Sequence, residues 1–501
     1  MEIKEARKGR DRMEWEKLLS IERQEEKEKE PEKFKMYPID EFEKDYQVII
    51  SSSAFRRLQD KTQVFPLDKS DFVRTRLTHS MEVSTIARQL GVMVTKNKTD
   101  YLKEELKKNS VADKIPVVLS CAGLLHDIGN PPFGHFGEVV IGDWFKKEFA
   151  NDRFQYRGKR VRDLLDQQMI NDLENFEGNA QALRILSKIK NNAKGYEMNL
   201  SFSIMNTLIK YPTSSLEYDR DSEDIKCHKL GYFASEQGIM EEICEETGTN
   251  CDKGYVRHPL VYLLEAADDI AYATADLEDA FKKGEFVMKS FIEFFENKAE
   301  EMQDKIHREY SLELLGDLKQ RCRNKEQDKE WELTSFQRWM ELVRKWLKYV
   351  VAYSFSRNYT EIMEGNYTHD LFYGTNHEYT IQILKDAMKE FVYEKQSIVR
   401  LELSARKIIN SLLDDFVYAV LYWEEGTKEK SENKMSKVDR KIVSIISENY
   451  KKDYRKARIE AKTEKDLSYN LYLRLLMVTD YISGMTDSYA KNLYQELNGV
   501  V

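Results

Sequence analysis

Residues 117–138 of the chain read Val-Val-Leu-Ser-Cys-Ala-Gly-Leu-Leu-His-Asp-Ile-Gly-Asn-Pro-Pro-Phe-Gly-His-Phe-Gly-Glu. Residues 117–128 are nearly all apolar, which predicts a helix that is buried on every side. The run Gly129-Asn130-Pro131-Pro132 then ends the helix, because proline lacks the amide hydrogen that a helix interior needs and glycine favours the terminal conformation. The stretch therefore predicts a helical core with a stiff loop directly behind it.

The composition of the 501-residue chain favours helices well beyond this stretch. Glycine occurs 21 times and proline 8 times, fewer than average usage of roughly 7% and 5% would give. Charged residues make up 33% of the chain and hydrophobic residues 41%. These proportions argue against an all-β barrel or sandwich and against a collagen-like chain. We expect an all-α protein with a helical core, additional charged helical regions and little or no sheet.

The chain divides into three predicted parts. Residues 1–35 are rich in Glu, Lys and Arg, which predicts a solvated, charged N-terminal arm or helix. Residues 36–290 hold most of the small-residue and histidine signals and are the predicted catalytic core. Residues 291–501 form a predicted helical region that completes the active site and makes oligomer contacts. Within it we expect an exposed loop at 424–434 and a final helical segment from about 466 to 495.

Charge and cysteine content restrict the classes of function. The 79 basic and 88 acidic residues give a net charge of −9, which argues against a uniformly basic nucleic-acid binder. The five cysteines include no Cys-x-x-Cys pair, so neither a disulfide framework nor a cysteine zinc site is indicated, and a reducing cytoplasm is the expected location. We see no apolar signal core at the N-terminus and no stretch long and apolar enough to span a membrane.

Four side chains in apolar helical surroundings are candidate metal ligands. His126 and Asp127 lie at the end of the buried helix, where the helix dipole favours a cation. His79 lies at the head of an apolar stripe, and Asp268 lies in the helical segment 260–282. Two histidines and two carboxylates suit a divalent ion of intermediate hardness such as Mn²⁺ or Fe²⁺. The alternative for each residue taken alone is a hydrogen-bonded core position.

Two further patterns suggest a reaction centre. His135 and Glu138 are three residues apart, which places them side by side on a helical turn as a proton-transfer pair. The alternative is a helix-start loop with Glu138 in the first turn. Asp268, Tyr272 and Asp276 recur every four residues and would line one wall. No Gly-x-x-x-x-Gly-Lys-Ser/Thr loop is present, so phosphate binding by a P-loop is not available.

Six stretches together resemble the HD superfamily of metal-dependent phosphohydrolases, and within it the bacterial deoxyguanosinetriphosphate triphosphohydrolase family. They span most of the chain, and their combination is far more specific than a single His-Asp pair. The matching stretches are Phe55 to Leu67, Arg74 to Val83, Gly123 to Glu138, Phe176 to Gln181, Glu265 to Asp279 and Asp480 to Asp487.

The resemblance implies a role for each candidate side chain. The metal ligands would be His79, His126, Asp127 and Asp268, with His135 and Glu138 as the catalytic pair beside the α-phosphate. Tyr272 and Asp276 would read the deoxyribose, Gln63 and Val64 would lie against the sugar, and Lys210 and Tyr211 would contact the polyphosphate. The family's C-terminal phosphate-binding arginine has no clear counterpart, although the region from Lys434 to Lys441 is basic.

The implied reaction is the hydrolysis of dGTP, with other dNTPs as further substrates, to a deoxynucleoside and inorganic triphosphate. The implied cofactor is Mn²⁺ or Mg²⁺, with Fe²⁺ as an alternative. The implied partners are single-stranded DNA as an effector and further copies of the chain in a hexamer or tetramer. Two alternatives stay open: another HD phosphohydrolase acting on (p)ppGpp, cyclic nucleotides or nucleoside monophosphates, and a nucleic-acid-binding regulator with a vestigial site.

Overall fold

The structure is a computed structural model that describes most of the chain. In this part of the chain helices dominate, and sheet is limited to three antiparallel pairs of two-residue strands. The predicted all-α class is confirmed. The described residues are 12–25, 39–67, 70–96, 103–188, 190–191, 195–196, 198–252, 254–322, 329–424, 435–460 and 462–500.

The α-helices differ widely in length, and the longest ones build the centre of the molecule. Those of the first half are Trp15–Leu18, Glu41–Ser51, Ser53–Arg57, Arg76–Lys96, Glu104–Lys107, Asn109–Ala112, Lys114–Leu125, Gly134–Phe149, Val161–Leu164, Gln167–Glu174, Gly178–Lys188, Phe202–Leu208, Gln237–Thr247 and Pro259–Lys283. Those of the second half are Met288–Glu300, Lys305–Cys322, Lys329–Arg357, Tyr359–Met363, Glu378–Met388, Gln396–Val420, Lys437–Ile445, Glu448–Ala457, Glu464–Ser483 and Asp487–Leu497.

Short elements connect these helices. The 3₁₀ turns are Leu58–Asp60, Ile225–Cys227 and Ala234–Glu236, and Lys389–Tyr393 is a π-helical turn. The paired strands are Gln155–Tyr156 with Lys159–Arg160, Lys190–Asn191 with Gly195–Tyr196, and Asn250–Cys251 with Gly254–Tyr255.

Close packing of two helices brings the candidate ligands together. Helices Arg76–Lys96 and Lys114–Leu125 run against each other, and the second is buried along nearly its whole length. A Cβ on Gly123 would lie 2.5 Å from the Cα of Ser84, so only glycine permits this approach. The consequence is that the rings of His79 and His126 lie with their centroids 5.2 Å apart.

The buried helix ends earlier than the apolar pattern predicts. It ends at Leu125, and residues 126–129 form a turn. The Ile128 amide donates to the Leu125 carbonyl at 2.9 Å and the Asn130 amide to the Asp127 carbonyl at 3.2 Å, both three residues apart. Such tightening at a helix end is common, and apolar periodicity cannot reveal it, because Ile128 is buried in either conformation.

The third ligand-bearing helix has clear signals at both ends. Helix Pro259–Lys283 begins with proline at its first position, and the His258 side chain accepts a hydrogen bond from the Leu260 amide. It ends at Gly284, which adopts a left-handed conformation with φ of +78°. The predicted helix at 260–282 is therefore confirmed.

Two hydrophobic cores meet at the candidate site. The first includes Leu90, Leu124 and Leu264, from the three helices that carry the candidate metal ligands. The second includes Ile141 and Val478, from the helix that carries His135 and from the C-terminal region. The candidate ligands and the candidate proton-transfer pair thus approach each other from opposite cores.

The two ends of the chain differ from the sequence-based expectations. Met13, Trp15, Leu18 and Leu19 are buried against the first core, so this part of the predicted arm is not solvated. Its few apolar residues decide the packing despite the charged surroundings. Residues 1–11 and 26–38 of the N-terminal region, and 425–434 of the predicted loop, lie outside the described residues.

The predicted final helix is two helices. The first ends at Ser483 and the second begins at Asp487, where the Thr486 hydroxyl accepts a hydrogen bond from the Tyr489 amide as an N-cap. Continuous apolar spacing hid this break. Among the described residues, each helix is too short or too polar to cross a membrane.

Candidate metal centre and active site

Ligand atoms of His79, His126 and Asp127 lie within 4.8 Å of one another, and Asp268 lies beside both histidines. The Nε2 atom of His126 lies 3.3 Å from the Oδ2 atom of Asp127 and 3.4 Å from the Oδ1 atom of Asp268. The same Asp268 oxygen lies 3.3 Å from the Nε2 atom of His79. Donor atoms that share one ion at about 2 Å lie about 3 Å from each other, so this spacing suits a single divalent ion.

The hydrogen bonding of His126 supports the same conclusion. Its Nδ1 atom lies 2.9 Å from the Gly123 carbonyl, which can only accept, so Nδ1 carries a proton and Nε2 is the ring nitrogen that faces the carboxylates. The Nε2 atom is buried and has no hydrogen-bond partner among the described residues. A buried nitrogen left this way is a ready metal ligand.

Charge balance also favours a cation at this point. Burial opposes the charged form of His126, but the Asp127 and Asp268 carboxylates outweigh it and raise the His126 pKa to about 10. Burial opposes ionisation of Asp268, but Lys210 and His126 hold its pKa well below the usual range. The carboxylates are thus ionised and stabilise positive charge beside the His126 ring.

Neighbouring side chains fix the orientation of both carboxylates. The Arg76 guanidinium donates to Asp127 Oδ2 at 2.5 Å, and the side-chain amide of Asn130 donates to Asp127 Oδ1 at 2.7 Å. The Lys210 ammonium donates to Asp268 Oδ2 at 2.7 Å. Partners of this kind orient metal ligands.

The predicted proton-transfer pair forms on the helix that follows the loop. His135 and Glu138 lie one turn apart on Gly134–Phe149, with 2.8 Å between the His135 Nδ1 atom and the Glu138 Oε2 atom. The other Glu138 oxygen accepts a hydrogen bond from the Gly178 amide at 3.0 Å. The His135 side chain is 68% exposed and Glu138 is buried. The imidazole therefore faces open space, and its hydrogen bond to Glu138 holds it on the buried side.

The pair is poised as an imidazolium and a carboxylate. The charge of Glu138, which also accepts a hydrogen bond from the ring, raises the pKa of His135. Burial would raise the pKa of Glu138, but His135 and the more distant Lys229 and Arg76 lower it. The interaction therefore favours the protonated form of His135, which can present its second proton through the Nε2 atom.

A cavity of about 530 Å³ opens on one side of the metal centre. Its polar end includes His79, Asp127, His135 and Asp268. The remaining walls are largely aromatic and aliphatic and come from distant parts of the chain: Gln63, Val64, Phe133, Tyr272, Tyr393, Ile398, Glu402 and Ala405. The Tyr272 and Tyr393 rings are nearly parallel, at 13°, with centroids 6.3 Å apart. The size and the walls suit a nucleoside.

A second, more polar cavity of about 370 Å³ lies on the other side and shares five lining residues with the first: Asp127, His135, Asp268, Asp269 and Lys385. Lys210, Tyr211, Lys229 and Lys385 line it. Three of these are lysines held near carboxylates: Lys210 by Asp268, Lys229 by Glu177 at 3.0 Å, and Lys385 by Asp269 at 2.9 Å. Carboxylates of Glu265, Asp269 and Asp370 also line the cavity, so the lysines are the groups in it that can contact a polyanion.

Two polar side chains of the predicted sugar site lack partners. Asp276 is fully buried, and neither of its carboxyl oxygens has a hydrogen-bond partner in the described part of the chain. Burial raises its pKa well above the usual range, against the opposing effects of Arg74 and the neighbouring Gln63 side chain. The Oε1 atom of Gln63 is likewise buried and unsatisfied. Asp276 lies behind the cavity wall, one turn beyond Tyr272, whereas Gln63 lines the cavity.

The sequence interpretation missed several side chains of the site. Arg76 and Asn130 fall within motif stretches, so their positions were visible although their partners were not. Lys229 and Lys385 are single residues among 79 lysines and arginines, without a local signal. Tyr393 projects from a π-helical turn, a conformation that periodicity does not predict. Of the predicted basic C-terminal region, Lys434 lies outside the described residues.

Comparison with known families agrees with this architecture. The family model of the HD domain matches residues 76–221, which include His79, His126 and Asp127. The family model of the phosphohydrolase-associated domain matches residues 424–496. The helical fold and the His-Asp cluster are therefore those of an HD-domain protein. Asp268 lies between the two matched regions.

Curated relatives define the family more closely. A deoxyguanosinetriphosphate triphosphohydrolase-like protein of Listeria innocua is 44% identical, over 92% of this chain and 94% of its own length. A deoxyguanosinetriphosphate triphosphohydrolase of an Enterobacter species is 31% identical, over 92% of this chain and 94% of its own length. A deoxyguanosinetriphosphate triphosphohydrolase-like protein of a Synechocystis species is 32% identical, over 97% of this chain and 100% of its own length. The chain belongs to the deoxyguanosinetriphosphate triphosphohydrolase family.

Proposed function

We propose that the protein hydrolyses dGTP to deoxyguanosine and inorganic triphosphate with a divalent metal ion. The observation that carries the proposal is the arrangement of two cavities around one His-Asp cluster. The larger cavity suits a nucleoside and the smaller one a polyanion. Among the residues that line both cavities, Asp127, His135 and Asp268 lie where the α-phosphate of a nucleotide bound across both cavities would be.

The proposed metal ligands are His79, His126, Asp127 and Asp268. The orphaned Nε2 atom of His126 and the two ionised carboxylates around it fit a divalent ion. The chemistry that such an ion supplies is polarisation of a phosphoryl oxygen and a lower pKa for water bound to it. The donor set suits Mn²⁺ or Fe²⁺, and Mg²⁺ with more retained water.

His135 and Glu138 are the proposed catalytic pair. Glu138 accepts a hydrogen bond from the Nδ1–H group of His135 and so directs the Nε2–H group toward the open cavity. In this protonated form His135 can donate a proton to the 5′-oxygen as water forms a bond to the α-phosphorus and the bond between phosphorus and the 5′-oxygen breaks. Glu138 holds the ring by its bond to Nδ1 and stabilises the imidazolium that serves as the acid.

Lysines and one tyrosine are the proposed binding groups for the remaining phosphates. Lys210, Lys229 and Lys385 place three cations in the smaller cavity, and Tyr211 adds a hydroxyl. In the free protein each lysine pairs with a carboxylate, so their charges do not repel one another before substrate binds. The cavity can therefore neutralise a triphosphate within a chain that is acidic overall.

The larger cavity offers contacts for both the sugar and the base. Gln63 and Val64 restrict the space beside Tyr272, and the unsatisfied Oε1 atom of Gln63 is a polar atom that a sugar hydroxyl can satisfy. Asp276 lies behind this wall and can act on the sugar only through the wall residues. Glu402 lines the same cavity, and burial raises its pKa. When ionised, its carboxylate can accept from the N1–H and amino groups of guanine, donors that adenine lacks at these positions.

A product assay tests the proposal. The protein is incubated with dGTP, the other dNTPs and GTP, each with Mn²⁺ or Mg²⁺, and products are separated by ion exchange. We expect deoxyguanosine and inorganic triphosphate from dGTP, and slow turnover of GTP. Release of pyrophosphate, or turnover of (p)ppGpp or cyclic nucleotides but not dGTP, would contradict the proposal. The alternative HD activities and a vestigial site are not favoured, since relatives over nearly the whole chain carry the triphosphohydrolase name.

Three further properties belong to the proposal. We propose a cytoplasmic homo-oligomer, hexamer or tetramer, with contacts from the region 291–501, to be measured by light scattering. We propose single-stranded DNA as an effector that binds local basic patches, because the net charge of −9 excludes a uniformly basic surface. Binding of this kind weakens as salt concentration rises.

A further inference from the structure

The motif Asp480 to Asp487 has no part in the proposed chemistry, yet it lies directly behind the active site. It covers the end of helix Glu464–Ser483, the short break after it, and the first residue of helix Asp487–Leu497. Asp487 is buried, with 2% of its surface exposed. Its carboxylate points toward two loops that come from distant parts of the chain.

Both carboxylate oxygens of Asp487 bind backbone amides. Oδ1 accepts from the Phe133 amide at 2.9 Å. Oδ2 accepts from the Thr62 amide at 2.9 Å and also from the Thr62 hydroxyl. One side chain of the C-terminal region therefore connects the loop before His135 with the loop before Gln63 and Val64.

The Phe133 bond supports a strained backbone. Phe133 has a φ of +64°, a left-handed conformation that is costly for a bulky residue. Gly134 follows, also left-handed at +61°, and then His135 begins its helical turn. The position of the His135 ring thus depends on a conformation that the Asp487 carboxylate holds in place.

A second connection joins the same three segments. The buried Lys61 ammonium donates to the Asn130 carbonyl at 2.6 Å and to the Ser483 carbonyl at 2.7 Å. Asn130 in turn holds Asp127. Lys61 directly precedes Thr62, Ser483 lies just before the helix break, and Asn130 lies in the active-site loop. Lys61 therefore joins the same three segments that Asp487 joins, so the contacts of Asp487 are not isolated.

We propose that Asp487 is a positioning residue that sets His135 and the Gln63–Val64 wall relative to each other. Loss of either hydrogen bond from a backbone amide to Asp487 would then damage two properties at once. These are the rate of proton donation by His135 and the exclusion of the 2′-hydroxyl of GTP by Gln63 and Val64. The inference rests on the proposed function only for these two kinetic readouts. The backbone contacts themselves can be measured without substrate.

Asparagine is the informative substitution because of the bonding pattern at Asp487. An amide group has one acceptor oxygen, whereas Asp487 accepts a backbone N–H on each of its two oxygens. In Asp487→Asn one backbone amide must therefore face an NH₂ group and lose its partner. The shape and volume of the side chain are otherwise retained.

Asp172 provides the matched control. It too is buried, and it too binds the C-terminal region, through the Tyr472 hydroxyl at 2.5 Å. Only its Oδ2 atom accepts a backbone amide, that of Ala234 at 2.8 Å, while Oδ1 faces the Ser215 hydroxyl. In Asp172→Asn the NH₂ group can donate to Ser215, because a hydroxyl also accepts. Substitution by asparagine can thus keep the hydrogen bonds of Asp172, whereas it must lose one of those of Asp487.

The experiment compares Asp487→Asn, Asp172→Asn and the wild type by turnover, metal content and amide hydrogen exchange. In Asp487→Asn we expect kcat for dGTP to fall about 10- to 100-fold, as misplacement of a reacting group does. We expect the preference for dGTP over GTP to fall with it, while the metal content stays at the wild-type level. Exchange should accelerate at 61–64 or 130–134. Asp172→Asn should match the wild type in kcat, preference and exchange at these segments.

Several results would overturn the inference. One is wild-type kcat and nucleotide preference in Asp487→Asn, and another is equal effects of both substitutions. Loss of metal from Asp487→Asn would also contradict it, because the effect would then pass through the ligands. If the wild type itself releases no triphosphate from dGTP, the proposed function fails, and the exchange comparison still decides whether Asp487 holds the two loops.

Discussion

Single buried side chains in this protein serve the fold and the site at the same time. Asp127 is an example, because one of its oxygens lies beside His126 and the same oxygen accepts from Arg76. Arg76 is itself only 4% exposed. Removal of the Asp127 side chain would leave a buried, unpaired guanidinium, which is strongly destabilising. A test of its role as a ligand therefore needs a substitution that keeps an acceptor.

Asp127→Asn meets this need. We expect it to lose the bound divalent ion and at least about a hundredfold of turnover, because a neutral amide is a poor ligand and leaves less negative charge at the centre. Metal analysis and triphosphate release measure both effects. Asp113→Asn, an exposed aspartate paired with Lys96, is the control and should retain both. Normal metal content and turnover in Asp127→Asn would refute the ligand assignment.

The His135–Glu138 pair makes a prediction about pH. Glu138 raises the pKa of His135, so an activity that needs the imidazolium is retained above the ordinary histidine pKa and is lost as pH rises through the raised value. In Glu138→Gln this loss should occur at least about one pH unit lower, because the stabilising charge is gone. The pH profile of kcat measures the shift.

The control for this prediction lies on the same helix. Glu148 is buried but binds Tyr418 and Asn151, far along the helix from His135. Glu148→Gln should leave the alkaline side of the profile where it is. An unchanged profile in Glu138→Gln would show that His135 is not the acid.

At the scale of elements, glycines decide how closely helices approach the site. Gly178 begins helix Gly178–Lys188, and its amide binds Glu138. A Cβ at this position would lie 2.3 Å from Asn130 Oδ1 and 2.4 Å from Glu138 Oε1. Both neighbours belong to the site, so displacement of the helix start would move them.

Gly178→Ala should therefore reduce turnover by about tenfold or more. The matched control is Gly238→Ala in helix Gln237–Thr247, where a Cβ meets nothing within 4 Å. That change should leave turnover intact and stabilise the fold by up to about 1 kcal/mol. Turnover and thermal unfolding of the two variants measure the difference. Equal turnover in both would contradict the close packing at Gly178.

At the scale of the whole molecule, the two hydrophobic cores are joined by buried polar contacts of the C-terminal region. Arg184 pairs with Asp480 through two hydrogen bonds of 2.7 Å, and Asp172 binds Tyr472. Arg184 lies on a helix that contributes Ala180 to the second core and Leu183 to the first. The two cores are therefore joined by contacts that span most of the chain.

The buried Asp172 carboxyl predicts a pH dependence of stability. Burial raises its pKa to about 7. The folded state then keeps a proton that the unfolded state releases near pH 4, so the free energy of unfolding falls as pH rises from about 4 to 7. The slope from this group is at most about 1.4 kcal/mol per pH unit. Above pH 7 its contribution is constant.

Asp172→Asn should remove this part of the slope. Urea unfolding of the wild type and the variant at several pH values between 5 and 8 measures it. The exposed pair Asp163–Arg160 supplies the control, since Asp163→Asn removes a carboxyl at the surface. Identical slopes in the wild type and Asp172→Asn would contradict the assignment of the proton to Asp172.

The sequence by itself determined the class of fold and the position of each ligand-bearing helix. Helical periodicity and scarce glycine and proline are local signals, and they sufficed for the helix at 260–282 and for the buried helix ahead of His126. The pairing of His135 with Glu138 was also local, because residues three apart on a helix meet. The motif stretches then indicated the family, which the comparisons confirmed.

Only the tertiary structure decided which distant residues share the site. Lys229, Lys385 and Tyr393 carry no local signal, and they reach the cavities because separate helices pack around them. Apolar spacing alone hid the ends at Leu125 and Ser483, although Gly484 and Thr486 lie at the second break. Asp487 meets Phe133 and Thr62 across more than 350 residues of chain. Contacts of this range depend on the packing of both cores, which no local pattern of residues encodes.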